Sequence, residues 1–251
     1  MSAAPPLIPN AAFFLDIDGT LFDIVSLPAA VHAGAADFEL LTALYEAAGG
    51  AVALVSGRPI AGIDKMFAPL KLPAAGQHGV ERRDARGKIL RHAPPSDLWR
   101  AAIAPLRSFA AQHEGLIFED KGMSIALHYR LVPELEHDAL AAVRSAAARL
   151  GERYEVLPGK MVFELRPSGR DKGVAIAEFM HERPFARRMP VFLGDDVSDE
   201  HGFMLVNRLG GHSVKVGAGP TAARWKLADP AAARAWLAQW IAAAPGRVPA
   251  T

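Results

Sequence analysis

Two aspartates separated by a single residue give the first sign of chemistry in this sequence. Asp16 and Asp18 belong to the segment Asp16-Ile17-Asp18-Gly19-Thr20. One carboxylate of such a pair can attack phosphorus and form an acyl phosphate, and the other can exchange a proton with the leaving alcohol and then with water. Gly19 allows a tight turn in which backbone amides approach phosphate oxygens. An Asx-rich turn without catalytic function is the alternative for this segment taken alone.

A second acidic segment, Gly194-Asp195-Asp196-Val197-Ser198-Asp199-Glu200, follows much later in the chain. If both segments lie at one edge of the fold, their carboxylates repel one another unless a cation neutralises them. Oxygen ligands suit Mg²⁺, which also shields a phosphate dianion from an anionic nucleophile. A Ca²⁺ loop or an acidic helix start would explain the second segment alone. The carboxylates that would crowd together are those of Asp16, Asp18, Asp195, Asp196 and Asp199.

Ser56 and Lys172 are residues that can hold a phosphoryl group. Ser56 follows an apolar run and precedes a predicted helix start, so its hydroxyl and the nearby amides can receive a phosphoryl oxygen. Lys172 lies at another predicted helix start, where its charge opposes the helix dipole at a small cost that a catalytic role would explain. Taken singly, Ser56 could be a helix N-cap and Lys172 a solvated lysine.

Short apolar runs alternate with helical patterns over both ends of the chain. Runs that are apolar on both faces suit buried parallel strands, and their alternation with helices predicts a Rossmann-like, doubly wound parallel sheet of the α/β class. Ligands of such sheets bind beyond the carboxyl ends of the strands, where both acidic segments begin. We predict strands at Ala11–Leu15, Ala51–Val55, Leu72–Ala75, Pro190–Leu193, Ser213–Val216 and Leu227–Ala228, and helices at Ala35–Ala48, Pro59–Met66 and Ala231–Ala243.

The middle of the chain has a different pattern, which predicts an inserted α+β domain with the order αββαββ. Helices are predicted at Asp97–Gln112 and Pro133–Leu150, and two hairpins should turn at Lys121-Gly122 and Pro158-Gly159. The seams between this insert and the rest of the chain are predicted at Pro94-Pro95 and Pro167–Gly169, where Pro and Gly allow a hinge. We therefore expect a catalytic core of residues 1–93 and 169–251 and a cap of residues 94–168.

Alternation along the strands of the insert predicts one apolar and one polar face. The apolar face, which includes Ile125, Leu127 and Phe163, should pack on the two helices of the insert. An ordinary solvated sheet face is the alternative to a binding site on the polar side. The polar face should carry Glu119, Lys121, His128, Arg130, Glu164 and Arg166.

Composition excludes several other classes of function. The 28 Lys and Arg residues nearly balance the 27 Asp and Glu residues, so no broad basic surface for nucleic acid is implied. The absence of Cys excludes disulfides and thiolate chemistry and is consistent with a cytoplasmic location. We see neither a signal peptide nor a membrane-spanning apolar segment, and we expect no membrane partner.

The motifs together resemble those of a known group of enzymes. Asp16–Thr20, Ser56, Lys172 and Gly194–Asp199 resemble, in chain order, the motifs of the haloacid dehalogenase (HAD) superfamily of phosphatases, and the insert resembles its C2-type cap. The match is closer still to the trehalose-6-phosphate phosphatases. Segments similar to that family include Gln77–Glu81, Glu119–Gly122, His128–Arg130, Gly159-Lys160, Glu164–Pro167, Asp171–Gly173 and Ser213–Gly217.

The resemblance implies a role for each of these residues. Asp16 would be the nucleophile and a Mg²⁺ ligand, and Asp18 the general acid and base that also offers its backbone carbonyl to the metal. Asp195 would complete the protein ligands, and Asp196 and Asp199 would support the metal and its waters. Phosphate would be held by Ser56 and Lys172. The sugar hydroxyls would be bound by Glu119, Lys121 and Glu164, with His128, Arg130, His78 and Arg166 as further candidates.

The implied activity is Mg²⁺-dependent hydrolysis of trehalose 6-phosphate through an aspartyl-phosphate intermediate. The sequence leaves open a phosphatase for sucrose phosphate or a related glycosyl phosphate, and a phosphomutase of the same superfamily. A catalytically silent domain that binds sugar phosphates is a further alternative, against which the combination of Asp16, Asp18, Lys172 and Asp195 argues. A trehalose-6-phosphate synthase as partner is likewise left open.

Overall fold

The computed structural model describes residues 4–23, 34–92 and 97–244. The chain forms two compact units, one of residues 1–90 and 171–251 and the other of residues 91–170. The seam predicted at Pro94-Pro95 lies outside the described residues. In the part of the chain that is described, no helix is both long and apolar enough to cross a membrane.

Strands and helices are numbered separately in chain order. The strands are β1 (Ala11–Leu15), β2 (Val52–Val55), β3 (Ala74–Gly76), β4 (Glu81–Arg83), β5 (Ile89–Arg91), β6 (Ile117–Asp120), β7 (Ile125–His128), β8 (Tyr154–Gly159), β9 (Val162–Pro167), β10 (Met189–Gly194), β11 (His212–Val216) and β12 (Trp225–Leu227). The helices are α1 (Ala35–Ala47), α2 (Ile60–Met66), α3 (Asp97–Gln112), α4 (Glu136–Leu150), α5 (Lys172–Met180), α6 (Glu200–Arg208) and α7 (Pro230–Ala243).

The first unit is built on an eight-stranded sheet with the order β12-β11-β10-β1-β2-β3-β4-β5. All pairs from β12 to β3 are parallel. Leu15, the last residue of β1, is level with Leu193 on one side and Leu54 on the other. The predicted parallel α/β sheet is confirmed, and the carboxyl ends of β10, β1 and β2 lie side by side.

The strand β4 was not predicted, because its sequence Glu81-Arg82-Arg83 is charged. It pairs with β3 in the antiparallel direction and is buried. The burial is possible because each arginine has a carboxylate partner. Arg82 Nη1 donates to Glu182 Oε1 at 2.7 Å, and Arg83 Nη1 donates to Asp64 Oδ1 at 2.6 Å. The sheet therefore extends two strands beyond the predicted parallel part.

The central strand β1 packs against helices on both faces, because successive side chains point in opposite directions. Phe13 meets the edge of the Trp240 ring of α7 at a centroid distance of 4.6 Å. Phe14 stacks with Phe185 at 5.5 Å and contacts Phe179 of α5 at 5.9 Å. These contacts fix the strand that ends at the first acidic segment.

The second unit has the predicted order αββαββ and a four-stranded antiparallel sheet, β6-β7-β9-β8. Its apolar face packs on α3 and α4 as predicted, through a core that includes Ile125, Leu127, Phe163 and Leu165. Alternation along the strands thus assigned the buried face correctly.

Both hairpin turns in this unit lie later in the chain than predicted. Lys121 N donates to Ser124 O at 3.0 Å, so Gly122 and Met123 form the first turn. The second turn is Lys160-Met161, since Gly159 pairs with Val162. Pro and Gly at 158–159 suggested an earlier turn, but Pro158 lies within β8, and Met161 takes the left-handed backbone conformation instead, with φ of 62°.

We expect replacement of Trp240 by Ala to lower the free energy of unfolding by about 3–5 kcal/mol, because it empties a filled site in the core. Trp240 is 5% exposed, contacts Phe13 and donates from Nε1 to Ile8 O at 2.8 Å. Met204→Ala on the exposed surface of α6 is the control, since Met204 is 40% exposed. Chemical denaturation measures both variants, and equal losses would contradict the assigned core.

Candidate active site

The two acidic segments meet at the carboxyl edge of the parallel sheet. Asp16 follows β1 and Asp195 follows β10, and these strands are neighbours in register. Among the described residues, Asp16, Asp195 and Asp199 form a buried group whose ligand oxygens all lie within 4.8 Å of one another. The spatial convergence that the sequence predicted is therefore confirmed for these residues. The carboxylates of Asp18 and Asp196 are not part of that group.

Asp16 is buried, and each of its carboxylate oxygens accepts a hydrogen bond. Lys172 Nζ donates to Oδ1 at 2.8 Å, and Thr20 Oγ1 donates to Oδ2 at 3.1 Å. The Asp16 backbone is held as well, because its N–H donates to Leu193 O at 3.0 Å. A carboxylate fixed in this way is oriented for attack on an atom placed beyond the strand end.

Asp199 organises the second acidic loop around the same lysine. Its Oδ1 accepts from Lys172 Nζ at 2.7 Å, and its Oδ2 accepts from the backbone N–H groups of Asp195 and Asp196 at 3.0 and 2.9 Å. Asp199 therefore shares Lys172 with Asp16 and at the same time holds the backbone of the second acidic loop. Direct metal contact by Asp196 or Asp199 stays a prediction.

Two further residues bring the loops into close contact. Gly19 has φ of 84°, and a β-carbon at that position would collide with the Asp195 carboxylate. Glycine is therefore required there both by the left-handed backbone and by the approach of the second loop. Behind that loop, the buried Lys215 of β11 donates from Nζ to the backbone carbonyl of Asp195.

The electrostatics of this cluster call for an additional cation. Burial raises the pKa of Asp16 well above its usual range, and the charges of Asp199 and Asp195 raise it further, although Lys172 opposes them. Burial alone would lower the pKa of Lys172, but the carboxylates of Asp16 and Asp199 raise it, so the ammonium stays charged. One ammonium does not balance three carboxylates, and their hard oxygen atoms are those that Mg²⁺ prefers. The residues present fit a magnesium site.

Asp18 lies beside the loop after β2, where it pairs with an arginine that the sequence analysis did not single out. Arg58 Nε donates to Asp18 Oδ2 at 2.7 Å, and Arg58 Nη2 donates to Oδ1 at 2.6 Å. The nearby Ser56 hydroxyl accepts from Arg58 N at 3.1 Å. Ser56 is buried at the end of β2, the strand adjacent to β1, so it lies at the same sheet edge as Asp16.

A strained turn after β3 supports this loop. Gln77 and His78 have φ of 49° and 56°, values that non-glycine residues adopt at a cost of about 1–3 kcal/mol each. Gln77 N donates to Arg58 O at 3.0 Å, and His78 N donates to Ser56 O at 3.0 Å. Glu81 Oε1 accepts from Ile60 N at 2.6 Å. The strain is thus held in place by hydrogen bonds to the loop that carries Ser56 and Arg58.

The second unit carries the predicted sugar-binding residues on the polar face of its sheet. Glu119 and Glu164 both pair with Ala126, so they lie on either side of it on one face. His128 Nε2 contacts Glu119 Oε2 at 3.0 Å, and Lys121 Nζ donates to Glu164 Oε1 at 2.6 Å. Burial would raise the pKa of Glu119, but the hydrogen bond to His128 and the charge of Lys121 outweigh it, and the pKa is lowered.

The further candidates on this face are engaged elsewhere. Arg166 binds Glu155 through Nη2 at 2.9 Å. Arg130 lies beyond β7, is exposed, and donates from Nη2 to Lys160 O at 3.1 Å. The structure therefore brings Glu119, Lys121, His128 and Glu164 together, while Arg130 contacts the second hairpin turn.

Sequence reasoning missed the contacts of Thr20, Arg58 and Lys215. Each belongs to a segment that was noticed, but nothing in its type or spacing indicates which distant group it contacts. Arg58 follows Ser56-Gly57, and its guanidinium reaches a carboxylate 40 residues away. Lys215 lies within an otherwise apolar strand pattern. Because lysine is rarely buried without a partner, its position in that strand could have predicted a buried contact.

Comparison with known proteins places this geometry in a family. The model of the trehalose-phosphatase family matches residues 14–231. The chain is 43% identical to trehalose-6-phosphate phosphatase of Escherichia coli K12, over 94% of this chain and 89% of that protein. It is 42% identical to a probable trehalose-phosphate phosphatase of Sinorhizobium fredii, over 86% and 82% of the two chains.

Solved structures agree with the fold. The crystal structure of a trehalose-6-phosphate phosphatase related protein matches with a TM-score of 0.77 at 28% identity, covering 92% of this chain and 97% of that one. The C-terminal domain of the Candida albicans trehalose-6-phosphate phosphatase matches with a TM-score of 0.80 at 22% identity, covering 93% and 92%. A HAD/COF-like hydrolase of Plasmodium vivax shares the fold at a TM-score of 0.67. The chain belongs to the trehalose-phosphatase family, a family of phosphoric monoester hydrolases with the HAD-like fold.

Proposed function

We propose that this protein hydrolyses trehalose 6-phosphate to trehalose and phosphate, with Mg²⁺ as cofactor and an aspartyl phosphate on Asp16 as intermediate. The observation that carries the proposal is the buried Asp16 carboxylate at the end of β1, held by Lys172 and grouped with Asp195 and Asp199. The substrate is the one named for the E. coli relative, which is 43% identical over nearly the whole chain.

In the first half-reaction an oxygen of Asp16 forms a bond to phosphorus as the bond from phosphorus to the sugar oxygen breaks. Asp18 gives its proton to that leaving oxygen, so trehalose departs as a neutral alcohol. Lys172 and the Ser56 hydroxyl hold the phosphoryl oxygens, together with backbone amides at the strand ends. Stabilisation of the charge on these oxygens supplies much of the rate acceleration.

In the second half-reaction water attacks the phosphorus of the aspartyl phosphate. Asp18, now a carboxylate, accepts a proton from that water as the bond between Asp16 and phosphorus breaks. Phosphate leaves, and Asp18 is ready to protonate the next leaving group. One residue therefore serves as acid and then as base, which requires its carboxyl group to stay within reach of the same position in both steps.

Asp16 and Asp195 are the carboxylates that would hold Mg²⁺, with the backbone carbonyl of Asp18, while Asp196 and Asp199 would support the metal and its waters. When bound, the ion supplies positive charge that lets an anionic nucleophile approach a phosphate dianion. The buried, anionic character of the group supports this assignment, since burial and then the charges of Asp199 and Asp195 raise the pKa of Asp16.

Recognition of the sugar is assigned to the second unit. Carboxylates accept hydrogen bonds from hydroxyl groups, and the ammonium of Lys121 donates to hydroxyl oxygens. The pairs Glu119–His128 and Lys121–Glu164 place such groups close together on one sheet face. We propose that these four residues bind the trehalose moiety, with Arg130 as a peripheral contact.

Asp16→Asn is expected to reduce phosphate release by about 10³-fold or more, because the amide is not a nucleophile. The fold should survive, since Asn has nearly the same shape as Asp. The measurement is phosphate release from trehalose 6-phosphate, sucrose phosphate and glucose 6-phosphate, with circular dichroism as the control for folding. Near-normal turnover by the variant would contradict the nucleophile, and a preference for another sugar phosphate would contradict the substrate. Isomerised sugar phosphate as the product would instead identify a phosphomutase.

Removal of divalent metal with a chelator should abolish turnover, and Mg²⁺ should restore it. Titration calorimetry should detect Mg²⁺ binding to the wild-type protein and a loss of about 10-fold or more in affinity for Asp195→Asn, which removes one of the charged ligands. Glu200→Gln, next to the same loop, is the control and should bind Mg²⁺ as the wild type does. Full activity in the presence of the chelator would contradict the metal assignment.

Glu164→Ala is expected to lower kcat/KM for trehalose 6-phosphate by about 10-fold or more, because the lost hydrogen-bond acceptor is charged. Hydrolysis of p-nitrophenyl phosphate, which has no sugar, should change by less than about 3-fold. Glu155→Ala, on the neighbouring strand β8, is the control. Equal losses on the two substrates would contradict a role of Glu164 in sugar recognition.

A further inference from the structure

The guanidinium of Arg58 holds both carboxylate oxygens of Asp18. The two hydrogen bonds are 2.7 and 2.6 Å long and come from different nitrogens of one planar group. A bidentate pair of this kind fixes the rotation of the carboxylate as well as its position, which a lysine cannot do. The Arg58 side chain is only 15% exposed, whereas that of Asp18 is 36% exposed.

The backbone of Arg58, from which the guanidinium extends, is also fixed by its own contacts. Its backbone N–H donates to Ser56 Oγ at 3.1 Å, and its carbonyl accepts from Gln77 N at 3.0 Å. Gly76 packs directly on the Arg58 carbonyl, where a β-carbon would come within 2.8 Å of the oxygen. The strained turn after β3 therefore holds the backbone from which the guanidinium extends, and Pro59 restricts the chain on the other side.

The pairing also separates Asp18 from the other carboxylates. Among the described residues, the group of close ligand oxygens contains Asp16, Asp195 and Asp199 but not Asp18. Asp18 comes from the same loop as Asp16, but its carboxylate is paired with Arg58 instead. A carboxyl group that is held apart from the metal ligands can turn one oxygen to proton transfer while the other stays bound to Arg58.

We infer that Arg58 is a positioning residue for proton transfer, which aims the carboxyl group of Asp18 at the leaving oxygen of the substrate. The inference rests on the proposed function. As the bond between phosphorus and the sugar oxygen breaks, the proton moves from one oxygen of Asp18 to the sugar oxygen, while the other oxygen keeps its hydrogen bond to Arg58. The guanidinium stays charged throughout and exchanges no proton.

This role predicts that the effect of Arg58 depends on the leaving group. A sugar alkoxide needs a proton as it leaves, whereas p-nitrophenolate is a stable anion and needs none. The ratio kcat/KM reports only steps up to the departure of the leaving group, so it isolates the first proton transfer from the later activation of water. An arginine that simply bound phosphate would affect kcat/KM for both substrates alike.

The experiment measures kcat/KM of the full chain for trehalose 6-phosphate and p-nitrophenyl phosphate in Arg58→Ala and Arg58→Lys. For Arg58→Ala we expect a loss of about 30- to 100-fold on the sugar phosphate and less than about 3-fold on the aryl phosphate. Arg58→Lys should show the same selectivity with a smaller loss, because a lysine keeps the charge but not the bidentate geometry. Added guanidinium should partly restore Arg58→Ala on the sugar phosphate alone.

Arg83→Lys is the matched control, because Arg83 also binds both oxygens of an aspartate, Asp64, in the same unit. It should alter stability without changing the ratio of the two kcat/KM values. Equal losses on both substrates in both Arg58 variants would overturn the inference. If Arg58→Ala does not fold, an unchanged ratio in Arg58→Lys would do the same. Failure of the proposed function is a separate result, since the wild-type protein would then release no phosphate from trehalose 6-phosphate.

Discussion

The active-site edge of the fold depends on one buried ammonium group. Lys172 Nζ lies between Asp16 and Asp199, at 2.8 and 2.7 Å, and the three side chains are almost fully buried. These contacts join residues that are 156 and 27 positions apart in the sequence. Burial of a carboxylate without a partner would be prohibitively unfavourable, so the lysine is what allows two acidic loops to share one site. It also leaves negative charge in excess, which a bound divalent cation would balance.

The parallel sheet makes this convergence possible, because it brings the carboxyl ends of β10, β1 and β2 to one edge. The register between Leu15 and Leu193 sets Asp16 beside the second acidic loop. Gly19 then lets the loops approach so closely that any side chain would strike Asp195. The site therefore depends both on the left-handed backbone at Gly19 and on the pairing of β1 with β10.

Sequence reasoning succeeded where a residue's surroundings follow from its own segment. The strand Ala11–Leu15 was predicted with its observed bounds, because an uninterrupted apolar run is typical of a strand buried on both faces. It failed for β4, whose arginines are buried with carboxylate partners, Glu182 and Asp64, that come from other segments of the chain. It likewise identified Asp18 as a candidate but not its partner Arg58. Side-chain pairing between distant segments depends on the tertiary fold, which periodicity does not encode.

The two units differ in how their buried charges are balanced. In the first unit, the carboxylates of Asp16, Asp195 and Asp199 lie around the single ammonium of Lys172, so negative charge is in excess. In the second unit, Glu119 and Glu164 are already balanced by His128 and Lys121. A neutral disaccharide can exchange hydrogen bonds with such pairs without leaving an unpaired charge, whereas a second ionic group on the substrate would disturb the balance. Under the proposed function, these pairs would favour an uncharged, hydroxyl-rich group over an ionic one.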